Sequence, residues 1–220
     1  YSQGTLTVED ATLTGNSADG NGGGISGGGT FTNVTVENNS AGGNGGGMYS
    51  NNSTFTNATV ENNSANNNGG GIFGDNSTFT NVTVENNSAD GQGGGIGGSG
   101  TFTDVTVENN SAFSVGVGIY IFSTTSTLTR VDIRGNESRY RSGGGLYSDG
   151  NDVDLAEVMF VGNTSRASGS GSGAYIESGG GAYIENATLR AVNVQFIGNE
   201  ASRSGGGLYL TSTGGSLTNT

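Results

Sequence analysis

Residues 30–41 read TFTNVTVENNSA, and the same letters return unchanged at 78–89. One-letter variants occupy 54–65 (TFTNATVENNSA) and 101–112 (TFTDVTVENNSA). Inside the phrase, Val34-Thr35-Val36-Glu37 alternates apolar and polar, the period of a strand with one buried face. Thr30-Phe31-Thr32 does the same, and Asn33 between them shifts the parity, which predicts a bend or bulge at that residue. Thr, Val, Phe, Asn and Gly are poor helix formers, and no 3.6-residue stripe runs through the phrase.

Working outward, an apolar residue followed three positions later by Asn recurs eight times, at Asn16, Asn39, Asn63, Asn87, Asn110, Asn136, Asn163 and Asn199. The intervals are 23, 24, 24, 23, 26, 27 and 36 residues. A glycine run ending in an apolar residue follows most of them, as GGGM at 45–48 and GGGL at 143–146, with GVGI at 116–119 the variant. Such a run predicts a third short strand after a tight corner where glycine takes positive φ, with Met48 pointing inward. Three short strands and three turns in about 24 residues describe one rung of a parallel β-helix. Eight rungs stacked about 4.8 Å apart make a rod of roughly 40 Å.

The rung chemistry follows. Phe31, Phe55, Phe79 and Phe102 form one interior column, which the pattern continues through Leu128 and Leu189. Val34, Ala58, Val82 and Val105 form a second, and Val36, Val60, Val84 and Val107 a third. The recurring Asn turns inward as a ladder from Asn16 to Asn199, its amide bonding the Asn of the next rung, because a buried amide needs partners on every side. Residues 1–112 read as highly regular rungs and 113–220 as less regular ones, with an insertion near 166–187 where GAYIE occurs twice. The chain begins and ends within repeats, which reads as a segment of a longer protein.

The pairing of [FILV]-x-x-N with GG[GA]-[ILM], clearest in FVGN at 160–163, FIGN at 196–199 and GGGLY at 143 and 205, resembles the repeats of chlamydial polymorphic outer membrane proteins. It is also similar to pectate-lyase-like surface proteins of bacteria and archaea. The resemblance covers nearly the whole chain. It implies a right-handed β-helix with an adhesive or surface-display role and carries no catalytic residue across.

Composition narrows the chemistry. The chain has 45 Gly among 220 residues, and Cys, His, Pro, Trp and Lys are absent. That removes disulfides, thiolate metal sites, Cys nucleophiles, the commonest general base and Schiff-base chemistry. A net charge of −12 disfavours nucleic acid and anionic membranes as partners, and no apolar run is long enough to span a bilayer. Residues 1–129 carry ten acidic and no basic side chains, whereas all seven Arg lie between Arg130 and Arg203. Acidic excess with Arg but no Lys fits a salt-adapted extracellular protein.

In a stacked rod, function belongs to columns. Glu37, Glu61, Glu85 and Glu108 face outward one rung apart, so neighbours repel by roughly 0.9 kcal/mol in water. Such a strip is either a solvated acidic face or a Ca²⁺ or Mg²⁺ site, since carboxylates suit hard cations; no cofactor is otherwise required. The Thr30/Thr32, Thr54/Thr56, Thr78/Thr80, Thr101/Thr103 and Thr127/Thr129 pairs form T-x-T columns of the kind found on ice-binding faces, and Thr is equally a favoured exposed strand residue. Glycosylation sequons include Asn38, Asn62, Asn86, Asn109, Asn136 and Asn163. A β-helical polysaccharide lyase or hydrolase would draw on Arg130, Asp132, Arg134, Asp152, Asp154 and Glu157, either as a carboxylate cluster with Ca²⁺ and an Arg base or as paired carboxylates. Tyr120, Tyr147, Tyr175, Tyr183 and Tyr209 follow the glycine runs and are candidate glycan-binding aromatics. The sequence thus points to a non-enzymatic extracellular stalk or filament subunit, whose partners are further copies of itself or host and surface glycans.

Overall fold

The computed structural model describes residues 6–166 and 178–219. Among them there is no helix; the strands stack into three parallel sheets of fourteen, eight and eight strands. Each turn of chain contributes to all three. In the fourth turn, Ser77–Glu85 joins the first sheet, Ser88–Ala89 the second and Ile96–Gly97 the third. The turns pair in register, so Phe79 lies between Phe55 and Phe102, and Val84 between Val60 and Val107. The protein is a β-solenoid of about eight turns, in agreement with the expected rung.

The bend inside the phrase is a backbone event. Asn33, Asn57 and Asn81 adopt φ of 53°, 52° and 52°, and the same place in other rungs is held by Asp10, Asp104, Arg130, Glu157 and Asn193, all at positive φ. One left-handed residue resets the alternation, so that both Phe31 and Val34 face inward across it, 0% and 1% exposed. Without it one of the two would face solvent. Asparagine suits the position because its short polar side chain tolerates the left-handed region better than other residues with a Cβ.

Four phenylalanines stack along the axis at ring separations of 5.1, 4.9 and 4.7 Å. Burying each stabilises the rod by about 1.5–3 kcal/mol, and the offset stacking adds about 0.5–1.5 kcal/mol. The column runs on through Leu128, Leu155 and Ala191. Leu189 does not belong to it: it pairs with Val153, one inward position earlier in the strand. The reason is that the bend of that rung falls at Asn193, which places Ala191 at the phenylalanine level. The third sheet completes the core with Ile25, Met48, Ile72, Ile96, Ile119, Leu146, Ala182 and Leu208 in register.

The glycine triplets serve two separate needs. Gly45, the first of its triplet, takes φ +70°. Gly46, the second, is required by crowding, since a Cβ there would lie 2.3 Å from the Gly70 carbonyl oxygen and 2.4 Å from that of Ser64. Of the expected insertion, residues 167–177, with Tyr175 and the first GAYIE, lie outside the described residues. The second GAYIE is an ordinary rung strand, Ala182–Glu185, paired with Leu146–Asp149 and Leu208–Thr211.

Candidate functional site

The ladder asparagines are stitched from end to end of the described rod. Asn39 Nδ2 donates to Asn63 Oδ1 (3.0 Å) and to the Leu13 carbonyl (2.9 Å), while its Oδ1 accepts from the backbone N–H and the Nδ2 of Asn16, both at 2.9 Å. The pattern repeats through Asn63, Asn87, Asn110, Asn136 and Asn163 to Asn199. Both donors and both acceptor sites of each interior amide are therefore used. This removes Asn136 and Asn163 from the glycosylation candidates. Both are 0% exposed, and a glycan on either would take an amide hydrogen from the ladder and force the corner open. Asn38, Asn62, Asn86 and Asn109 stand outside it, exposed at the next left-handed corner with φ of 53–56°.

The four glutamates of the acidic strip lie in register on the outer face, Glu37 beside Glu61, Glu61 beside Glu85 and Glu85 beside Glu108. Burial first, then the hydrogen bond to Glu108 and the charges of Glu108 and Glu61, push the Glu85 carboxyl above the usual carboxylate range. Arg134 closes the strip by pairing with Glu108. Among the described residues no three acidic side chains converge as a metal cluster.

The T-x-T pairs are also in register over five rungs, Thr30 to Thr127 and Thr32 to Thr129. The aromatic residues form a different structure from a glycan platform. Tyr49, Phe73, Phe122, Tyr120, Tyr147, Tyr183 and Tyr209 stack successively at 5.0–5.9 Å on the outside of the third sheet. The interior rings of the stack lie against one another, with Tyr120 and Tyr147 tilted by 39°, and Tyr183 is only 2% exposed, so its ring faces are not open to a sugar. Gly97 makes the continuity possible: a Cβ there would come within 2.9 Å of the Phe73 ring, which leans over it to reach Phe122. Glu185 accepts from the Tyr147 and Tyr183 hydroxyls at 2.9 and 3.0 Å. Burial first, and then this carboxylate, raise both phenol pKa values far above the ordinary range.

The candidate catalytic residues separate. Arg134 is held by Glu108, Asp154 by Arg190, and Asp152 accepts from the Thr188 backbone N–H at 2.7 Å. Arg130, Asp132 and Glu157 do come together, joined by Asp104, Thr106, Met159, Asn193 and Gln195, around a groove of about 530 Å³. The groove follows the bend of the first sheet across the fifth to eighth rungs. Arg130 grips Asp104 through Nε and a terminal nitrogen at 2.6 and 2.9 Å, which holds the Asp104 carboxyl below its usual range. The composition of the sequence alone did not bring Asp104, Asn193 and Gln195 into this site. Counting six residues back from each ladder asparagine finds Asp104, Arg130, Glu157 and Asn193.

A solenoid of in-register parallel rungs with an internal asparagine ladder defines a β-helix. The family model described as the right-handed β-helix region matches residues 2–112, half of the chain, and the chain belongs to that family. The Chlamydia polymorphic membrane protein repeat matches residues 193–211, so the last described rung is similar to that repeat. No curated protein and no solved structure matches the chain.

Proposed function

We propose that this chain is a rigid adhesive segment of a surface-exposed protein, holding a binding face away from the cell that carries it. The observation that supports this reading most is the unbroken asparagine ladder from Asn16 to Asn199. It fixes every rung to the next, which is what a stalk under load needs. The match to the polymorphic membrane protein repeat supports surface display, and the acidic face, with a net charge of −12, keeps rods soluble and apart. The ion pairs of Arg134 and Asp154 and the backbone hydrogen bond to Asp152 support a non-enzymatic role.

The test is attachment. Beads coated with the purified chain should be retained saturably on cell- or glycan-coated surfaces, and heat-unfolded chain should not retain them. Retention no better than an inert protein would overturn the reading. A second reading, polysaccharide cleavage in the groove, is favoured by the meeting of Asp132 and Glu157 there. Chain shortening of a uronate-containing polysaccharide would establish it.

A further inference from the structure

We propose that the groove along the bend of the first sheet binds a neutral glycan chain lying parallel to the rod axis. This rests on the adhesive reading and names its ligand.

The groove occupies the stretch of the bend where the repeat is abandoned. In the second to fourth rungs the bend carries Asn33, Asn57 and Asn81, whose amides bond one another at 3.0 and 2.8 Å. The strand beyond carries Thr35, Thr59 and Thr83 in register. In the fifth to eighth rungs the same two columns become Asp104, Arg130, Glu157 and Asn193, and Thr106, Asp132, Met159 and Gln195. The amide ladder stops. Asp132, Asn193 and Gln195 direct their side chains to the groove without a protein hydrogen-bond partner among the described residues. Arg130 and Glu157 also hold φ of 52° and 57°, a conformation costing about 1–3 kcal/mol for such residues and met more cheaply by asparagine in the regular rungs. Local stability here has been given up for side-chain identity.

Those identities select the ligand. Asp104, Asp132 and Glu157 against Arg130 leave the groove with formal charge −2 (three acids, one base), which repels uronate and sulfated chains. The carboxylates do not converge on a metal position. Carboxylates accept from hydroxyls, and the Asn193 and Gln195 amides both donate and accept. Met159, 37% exposed, offers an apolar surface for the C–H face of a sugar ring. Four rungs span roughly 14 Å, the length of a short oligosaccharide, and about 530 Å³ lies within the usual range of ligand sites.

The experiment titrates the purified chain by calorimetry with neutral hexose and N-acetylhexosamine oligomers, with oligogalacturonate and with oligolysine. A neutral oligomer should bind, and the combined Asp132→Ala, Asn193→Gly, Gln195→Ala variant, with glycine free to hold the left-handed backbone at 193, should bind it about tenfold or more weakly without loss of Tm. Thr30→Ala, on a different column, should bind as the parent does. Binding untouched by the groove variant, or seen only with oligogalacturonate or oligolysine, overturns the proposal and leaves the adhesive reading standing. No calorimetric binding while coated beads still attach has the same meaning. If the beads fail as well, both fall.

Discussion

Replacing Asn87 by alanine is the most direct test of what holds the rungs together. Asn87 is 1% exposed. Its Nδ2 donates to Asn110 Oδ1 at 3.0 Å and to the Val60 carbonyl at 2.9 Å. Its Oδ1 accepts from the backbone N–H and the Nδ2 of Asn63 at 2.9 and 3.0 Å. Alanine removes all four bonds and leaves two Asn63 donors facing a space with no acceptor. At a net 0.5–1.5 kcal/mol per bond the loss is about 2–6 kcal/mol, and the orphaned donors place it near ~4 kcal/mol. Urea unfolding followed by circular dichroism measures it. The control is the adjacent Asn86→Gly, because Asn86 is exposed at φ 55° with a single long contact to Glu85 (3.4 Å), and glycine adopts that backbone freely. The control should change stability by less than about 0.5 kcal/mol. A rod coupled only through nearest-neighbour rungs should also lose cooperativity at the break, seen as a lower m-value. If Asn87→Ala costs under ~1 kcal/mol, or no more than Asn86→Gly, the ladder is not what joins the rungs.

Three further outcomes follow from the geometry. Gly46→Ala should cost about 3 kcal/mol or more by driving Cβ into two carbonyl oxygens, whereas Gly15→Ala, with open space around it and only its positive φ to oppose, should cost about 1 kcal/mol; equal losses in thermal melts would discard the close-approach argument. Glu157→Asn should stabilise the chain by roughly 0.5–1 kcal/mol in urea titration by relieving the left-handed backbone, and a loss would show that the glutamate side chain makes a stabilising contact. Glu85 has its folded pKa raised by burial, then by Glu108, so the protonated form favours folding and that contribution disappears as pH rises from the unfolded to the folded value. Glu85→Gln should therefore raise Tm at pH 7 by roughly 1–2 °C, with the gain vanishing below about pH 4; scanning calorimetry at both pH values checks it.

What the sequence disclosed was whatever obeyed a fixed distance from the ladder asparagine. The phenylalanine and valine columns, the acidic strip and the threonine pairs recur at constant offsets, and register in a parallel stack converts a constant offset into contact. Leu189 was misplaced because its neighbourhood, TLR, resembles the TLT around Leu128. Local likeness misled where distance would not: Leu189 stands ten residues before Asn199, whereas Leu128 stands eight before Asn136. The fate of Asn136 and Asn163 has the same origin. A sequon is a local pattern, and whether its asparagine faces solvent or core depends on which side of a corner it occupies. The aromatic stack was only half visible, since Phe122 joins from outside the in-register position to bridge the gap over Gly97. The groove was invisible as a shape because its residues are unlike one another and share only their place at the bend.

The ladder amides all point the same way, each Nδ2 donating toward the C-terminal rung. In a whole interior rung the ladder asparagine receives two hydrogen bonds from the asparagine behind it, through that residue's backbone N–H and Nδ2, passes two ahead in the same way, and gives one back to a carbonyl. Duplicating or deleting such a rung closes the same bonds again and leaves no partner stranded. Extra residues in the sixth and seventh rungs fall chiefly at the corner between the third and first sheets, which is why intervals of 23 to 27 residues coexist with one ladder. Reach is therefore quantised: it changes in steps of one rung, about 4.8 Å each, and length can be altered by recombination between repeats without redesigning the interior.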